Sequence, residues 1–247
     1  MPDVKDFNHC GKELEEKFLL RTSPIAVKML QKESDIPKDA LRPKKDRKTH
    51  YAQCQAFALS RREGMTVAML KEDHWCPAAL LAYGMVPSPQ SPDITKMHPY
   101  DTFETGKYIG VLTAPLKTAS FVPDVVIIYS NSAQLRNILF ALGPDAVSQV
   151  SGRFFPPSCA HAVVTPMQKG GYWVIIPDPG EFQRALGDEG EMMLAMPGEK
   201  ALAMCENMGK FKGMGFNYRE HNYFMQPDFP RPDFYKKMFK DWGLEDY

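Results

Sequence analysis

The sequence predicts an α/β or α+β protein, a mixed β-sheet with flanking helices in a single domain. Three observations carry this. Short apolar, β-branched runs such as Ile25–Leu30 and Val125–Tyr129 are bounded by turn residues, as buried strands are. Helix-length amphipathic stretches alternate with them. The composition, 44% hydrophobic and 24% charged, is that of a chain able to fill a core. No repeat or long linker divides residues 1–247.

Taken in order, residues 12–20 (KELEEKFLL) carry good helix formers with apolar Leu14, Phe18 and Leu19. Ser23-Pro24 breaks that helix, and Ile25–Leu30 is a strand. Residues 31–48 are polar, punctuated by Pro37 and Pro43, and read as a loop. Residues 51–62 form a helix with Cys54, Phe57 and Ala58 on one face, ended by Gly64. Met65–Leu70 is a strand. Cys76-Pro77 opens a helix, with proline where a missing N–H costs little, and Gly84 closes it. Residues 86–100 are a proline-rich loop.

Tyr108–Leu112 and Val125–Tyr129 are two more strands, and Ala133–Leu142 is a helix stopped by Gly143-Pro144. Cys159 falls in a loop after Pro156-Pro157. Ala162–Thr165 and Tyr172–Ile176 pair as a hairpin across residues 166–171. Met192–Met196 is a strand and Pro197–Met208 a helix. Residues 226–235 are extended and rich in proline and aromatics, leading into a terminal helix at about 234–241. Phe229, Phe234, Tyr235, Phe239 and Trp242 make residues 226–247 too apolar for a free tail. This C-terminal segment is expected to wrap across the domain or a partner subunit, which allows a homo-oligomer.

Charge excludes some functions. Thirty Lys and Arg balance thirty Asp and Glu, so there is no basic face for nucleic acid. The six basic residues of 38–48 read as a solvated loop. The first residues lack the apolar core of a signal peptide, and no stretch suits a membrane span. The expectation is therefore a cytoplasmic protein with no membrane association. Five cysteines in such a chain read as reduced thiols or metal ligands rather than as a disulfide framework.

The chemistry centres on those cysteines. Cys54 is placed on a helix face, Cys76 at a helix N-terminus, where unpaired N–H groups favour thiolate, and Cys159 in a loop. Thiolate binds zinc or an iron–sulfur cluster. His74 stands two residues before Cys76, and His161 two after Cys159, so either imidazole could join a shared centre. Seven of the 15 methionines lie between 192 and 225; they are core packing or else a soft wall for a tetrapyrrole or flavin. Residues 209–215 (GKFKGMG) form a flexible basic turn without a phosphate-binding motif.

The segments SPIAVKML (23–30), CQAFALSRREG (54–64), KEDHWCPAA (71–79), APLKTASFVPDVVIIYSNSAQ (114–134), Cys159 and MPGEKA (196–201) together resemble the archaeal and bacterial ArCR family, domain of unknown function 169. The resemblance spans about residues 12–210. It implies no activity, but it implies a cysteine pattern that Cys54, Cys76 and Cys159 match. Many members carry a fourth cysteine before a Gly and an Arg. Here the aligned stretch is IIPDPGEFQRA (175–185), where Gly180 and Arg184 remain and Pro177 or Pro179 replaces the cysteine. Cys10 and Cys205 match nothing in the pattern and read as structural.

The leading expectation is a metal or 4Fe–4S iron–sulfur site held by Cys54, Cys76 and Cys159, with His74 or Asp73 as a further ligand and Arg184 bordering its open side. Zinc and haem are the alternative cofactors. Such a protein would be a redox enzyme or an accessory factor of anaerobic metabolism, meeting a small-molecule ligand or a redox partner. The rival is a non-enzymatic binding protein for a large flat ligand, with structural cysteines. A catalytic thiol at Cys76 ranks third.

Overall fold

A computed structural model describes residues 2–88, 101–154, 156–208 and 233–244. Its centre is one seven-stranded mixed sheet, open rather than closed into a barrel, with ten α-helices among the described residues.

The first helix, α1 (Val4–Phe18), begins eight residues earlier than the sequence pattern alone indicates. Asp3 and Asp6 form a reciprocal capping box that satisfies its first N–H groups. Strand β1 (Ile25–Leu30) follows. Two helices come next, α2 (Pro43–Arg47) and α3 (Gln53–Glu63), the latter ended by Gly64 at φ 75°. Then come β2 (Val67–Leu70), α4 (Pro77–Ala82), β3 (Gly110–Pro115) and β4 (Val125–Asn131). Helix α5 (Ser132–Leu142) grows directly from β4 through an Asn131–Gln134 capping box. The chain continues through α6 (Pro144–Val147), β5 (Val150–Arg153), α7 (Ser158–Lys169), β6 (Tyr172–Ile175), α8 (Pro179–Arg184), β7 (Glu191–Pro197), α9 (Gly198–Asn207) and α10 (Asp233–Asp241).

The strand order is β2-β3-β1-β4-β7-β6-β5. Every pair is antiparallel except β5 with β6. Because side chains alternate along a strand, each strand feeds two cores. Ile25, Val27, Met69, Val111, Ile127, Tyr129 and Met193 face one side, where they meet α3, α4 and α7. Ala26, Leu30, Leu112, Val126, Ile128, Leu194 and Met196 face the other, where they meet α1, α5 and α9. The result is helices on both faces of a sheet, as expected.

Four expectations are corrected. Residues 31–48 are not all loop, since Pro43 at the first helical position starts α2 within them. Residues 162–165 are not a strand, and there is no hairpin with residues 172–176. They lie inside α7, which is buried on every side from Ser158 to Pro166. A helix buried all round shows no polar face, so its β-branched run reads like a buried strand. Strand β6 pairs instead with β5 and β7. Consequently Cys159 sits in the first turn of a helix, not in a loop. Finally, Cys10 and Cys205 are not reduced: they form a disulfide between α1 and α9, with Cα atoms 5.8 Å apart.

The methionines make no single wall. Met193 belongs to one core, and Met196, Met204 and Met208 to the other. Met214, Met225, the turn at 209–215 and the extended run 226–232 lie outside the described residues. Helix α10 buries none of its residues, and its aromatics pair among themselves, Phe234 with Tyr235 and Phe239 with Trp242.

Candidate functional site

The three matched cysteines come from three elements on one face of the sheet. Cys54 lies in the first turn of α3, where Gln55 accepts a hydrogen bond from the Ala52 N–H and starts the helix. Cys76 is the N-cap of α4, with Pro77 at the first helical position. That helix has only six residues, too short for a dipole argument to rest on. Cys159 lies in the first turn of α7. Cys54 and Cys159 are buried, Cys76 is half-buried, and all three are free thiols.

All three lie within electrostatic reach of Tyr83, a fully buried residue just after α4 whose hydroxyl donates to the Cys159 carbonyl at 3.1 Å. The Tyr83 phenol is pushed well above its ordinary value, first by burial and then by Cys159, Cys76, Cys54 and Glu181. The same crowding acts on the thiols. Burial pushes Cys54 up to about 12, with Glu181 and Asp178 adding to it and Arg184 opposing. Cys159 is also raised strongly, by burial first and then by Cys54, Glu181, Asp178 and Cys76. The physical content is plain: several groups that would each become anionic face one another in a dry space.

The α8 segment closes this space. Asp178 caps two helices at once. One carboxylate oxygen accepts from the Ser158 N–H and hydroxyl, and the other from the Gly180 N–H. The turn so formed brings the Gly180 carbonyl to 3.9 Å from the Cys54 sulfur. Arg184 folds back over Gly180, where any Cβ would collide with its guanidinium, and lies over the Trp75 ring at 5.5 Å. Arg184 thus covers this turn from its exposed side.

Glu181 is the residue that sequence reasoning missed. It is 1% exposed, and its Oε1 accepts from the Tyr129 hydroxyl at 3.1 Å and the Ser158 hydroxyl at 3.5 Å. Its Oε2 has no hydrogen-bond partner among the described residues. Burial pushes this carboxyl up to about 7; Asp178 and Glu191 add, while Tyr129 and Arg61 oppose. Behind it, Arg61 makes a buried two-pronged ion pair with Glu191 at 2.7 and 2.9 Å and stacks on Tyr129 at 3.9 Å. The sequence analysis predicts no helix here; Asp178 before Pro179 is the signal that could have placed α8, while nothing in the sequence marks Glu181, Tyr83 or Tyr129.

The histidines are less central. His74 is buried and packs edge-on to Tyr83, with ring centroids 6.4 Å apart. Burial lowers its pKa to about 4, and Asp73 and the Met69 backbone offset only part of that. Neither ring nitrogen meets a full hydrogen bond among the described residues. Asp73 is occupied, accepting from Arg42 Nε and from the backbone N–H groups of Lys44 and Leu70. His161 is buried on α7; burial first and then Arg153 and Lys169 lower its pKa, against Asp101 and Asp178. Among the described residues, no group of three or more His, Cys, Asp or Glu side chains is preassembled to hold a metal ion.

The model of the uncharacterised ArCR family, domain of unknown function 169, matches residues 13–207. The chain belongs to this family. No curated protein and no solved structure matches it. Where the resemblance implies a fourth cysteine for many members, this chain has Pro177 or Pro179, beside Asp178. No helix among the described residues is long and apolar enough to cross a membrane.

Proposed function

We propose that the region around Tyr83 binds a soft metal centre through Cys54, Cys76 and Cys159, either a 4Fe–4S cluster or a single thiophilic ion such as zinc. The protein would then act as a cytoplasmic redox enzyme or accessory factor. One observation supports this most: three thiols 22 and 83 residues apart in sequence act on one phenol and on one another. Releasing their protons together is unfavourable unless a cation joins them, and a bound metal ion supplies that charge. The donor chemistry fits a soft centre; preassembly does not. When bound, such a centre would supply electron transfer or Lewis acidity. The chain itself contributes a dry wall, a hydroxyl at Tyr83, and Arg184 as a cation beside it.

The test is anaerobic purification with metal and sulfide analysis and a visible spectrum. Colour with broad absorbance and stoichiometric iron, or stoichiometric zinc without colour, is expected. Metal-free, colourless protein whose three thiols alkylate freely would overturn the reading. Thiol counting in freshly lysed cells also tests the compartment, since three alkylatable thiols mean that Cys10–Cys205 is oxidised there and five mean that it is reduced.

The exposed aromatic residues Phe234, Tyr235 and Trp242 support the further reading that α10 packs against a second copy of the chain. Deletion of residues 226–247 would convert an oligomer to monomer in light-scattering measurements, and an unchanged mass would refute the idea.

A further inference from the structure

The Cys10–Cys205 disulfide lies between α1 and α9, on the opposite face of the sheet from the three free thiols. A groove of about 540 Å³ opens beside it, a volume ordinary for a small-molecule site. Both cysteines line this groove, with Lys5, Asp6 and Glu13 from α1 and Glu206 from α9. The two sulfurs are not equivalent. Cys10 is 2% exposed, whereas Cys205 is only partly covered, so an incoming group reaches Cys205 first. The surroundings also suit the reduced state. Cys10 Sγ lies 3.5 Å from the Ala201 carbonyl oxygen, and Cys205 Sγ lies 3.8 Å from that of Cys10. A disulfide has no S–H to offer these oxygens, but each thiol formed by reduction has an acceptor within reach.

The charges around the groove set the class of the attacking molecule. Asp6 already accepts from the Asp3 N–H at 2.9 Å, and Glu13 pairs with Lys17 at 2.9 Å. The exposed Lys5 and Glu206, one on each helix, can then answer a carboxylate and an ammonium respectively. We infer that Cys205 is a thiol-exchange site for small thiols of the amino-acid class, which carry both charges. The thiolate of the small thiol attacks Cys205 Sγ and bonds to it as the Cys10–Cys205 bond breaks. Cys10 leaves as a thiolate and takes a proton from water. A second small thiol attacks the sulfur of the first, which departs as the symmetrical disulfide and frees Cys205. Two small thiols are thereby oxidised, both cysteines are reduced, and α1 is unlinked from α9.

The probes are cysteine, N-acetylcysteine, which lacks the ammonium, and cysteine ethyl ester, which lacks the carboxylate. Full-length oxidised protein is mixed with each, quenched in acid, alkylated and mapped by peptide mass spectrometry. Each rate is divided by the same probe's rate on a small model disulfide, which removes differences in intrinsic nucleophilicity. The probe is expected on Cys205, with the alkyl label on Cys10. Cysteine should react about threefold faster than either singly charged probe, the worth of one exposed ion pair. Lys5→Gln should erase its lead over the ester, and Glu206→Gln its lead over N-acetylcysteine. Probe attached at Cys10, or equal corrected rates for all the probes, would overturn the inference. So would a lead untouched by both substitutions, or protein whose five thiols all stay alkylatable after exposure to oxidant.

Discussion

The two faces of the sheet are built to different ends. On the face covered by α1, α5 and α9, Phe7, Leu14, Leu112, Ile128, Ile138 and Leu194 fill an apolar core. The polar Gln134 there is answered by the carbonyls of Phe18 and Leu19, and the Cys10–Cys205 disulfide ties the outer helices together. The face covered by α3, α4 and α7 holds three free thiols, a buried histidine and, among the described residues, a glutamic acid oxygen and a Gln53 amide with no hydrogen-bond partner. Natural proteins carry such local inconsistencies where function demands them and rely on the remaining structure for stability. The first face therefore supplies stability and the second spends part of it on the site.

The sharpest way to break this comparison is to exchange cysteines between faces. Cys54→Ala, Cys76→Ala or Cys159→Ala should each remove essentially all bound metal, whereas Cys10→Ser with Cys205→Ser should leave metal content at the wild-type level. Iron, zinc and sulfide analysis of the variants beside the wild type decides it. Retention of metal in all three single variants would detach the site from the thiols.

Stability should respond in the reverse sense. Loss of the disulfide, which closes most of the chain into one loop, should lower unfolding free energy by about 4 kcal/mol. None of the single thiol variants should approach that. Arg61→Ala is the informative exception on the second face. It leaves the buried Glu191 with only Arg62 at 3.6 Å as a cation and removes the cation over Tyr129, so a loss of about 3 kcal/mol is expected. Urea unfolding of each variant measures both. A disulfide-free protein of unchanged stability would mean that the apolar face holds without its tie.

How much of this was legible follows from the same physics. The strands of the sheet were readable because β1, β4 and β7 are continuous apolar runs between turns. Strand β5, with the sequence VSGR at the sheet edge, has neither apolar content nor alternation and gave no signal. Helix α7 misled because total burial erases the period. Cys54, Cys76 and Cys159 were found through a family resemblance rather than by spacing, since no two stand close in sequence. The Cys10–Cys205 pairing was hidden by a separation of 195 residues that only the packing of α1 on α9 resolves. Glu181 was invisible because a glutamate in a short helix reads as solvated; its burial comes from Asp178 pinning α8 to the start of α7.

The smallest effect separates the two buried titrating groups of the site face. Burial, with Asp178 and Glu191, raises the Glu181 carboxyl from 4.5 to about 7, against Tyr129 and Arg61. Between those values the folded protein keeps a proton that the unfolded chain has released. Its contribution is thus fully present below pH 4.5 and is lost as pH rises to about 7, by about 3 kcal/mol. His74 runs the other way: burial lowers it from 6.5 to about 4, against Asp73 and the Met69 backbone. Its neutral form favours folding above pH 6.5, and that advantage is lost as pH falls to about 4, by a similar amount. In the overlap, from 4.5 to 6.5, the two slopes oppose and the chelator-treated wild type should show a nearly flat stability profile. Glu181→Gln should unmask a rise with pH across that window, and His74→Phe a fall. Urea midpoints of the three proteins across that range read this directly. A Glu181→Gln profile parallel to the wild type would show that the carboxyl does not hold its proton there, and with it would go the account of a dry, mutually repelling thiol–carboxyl pocket.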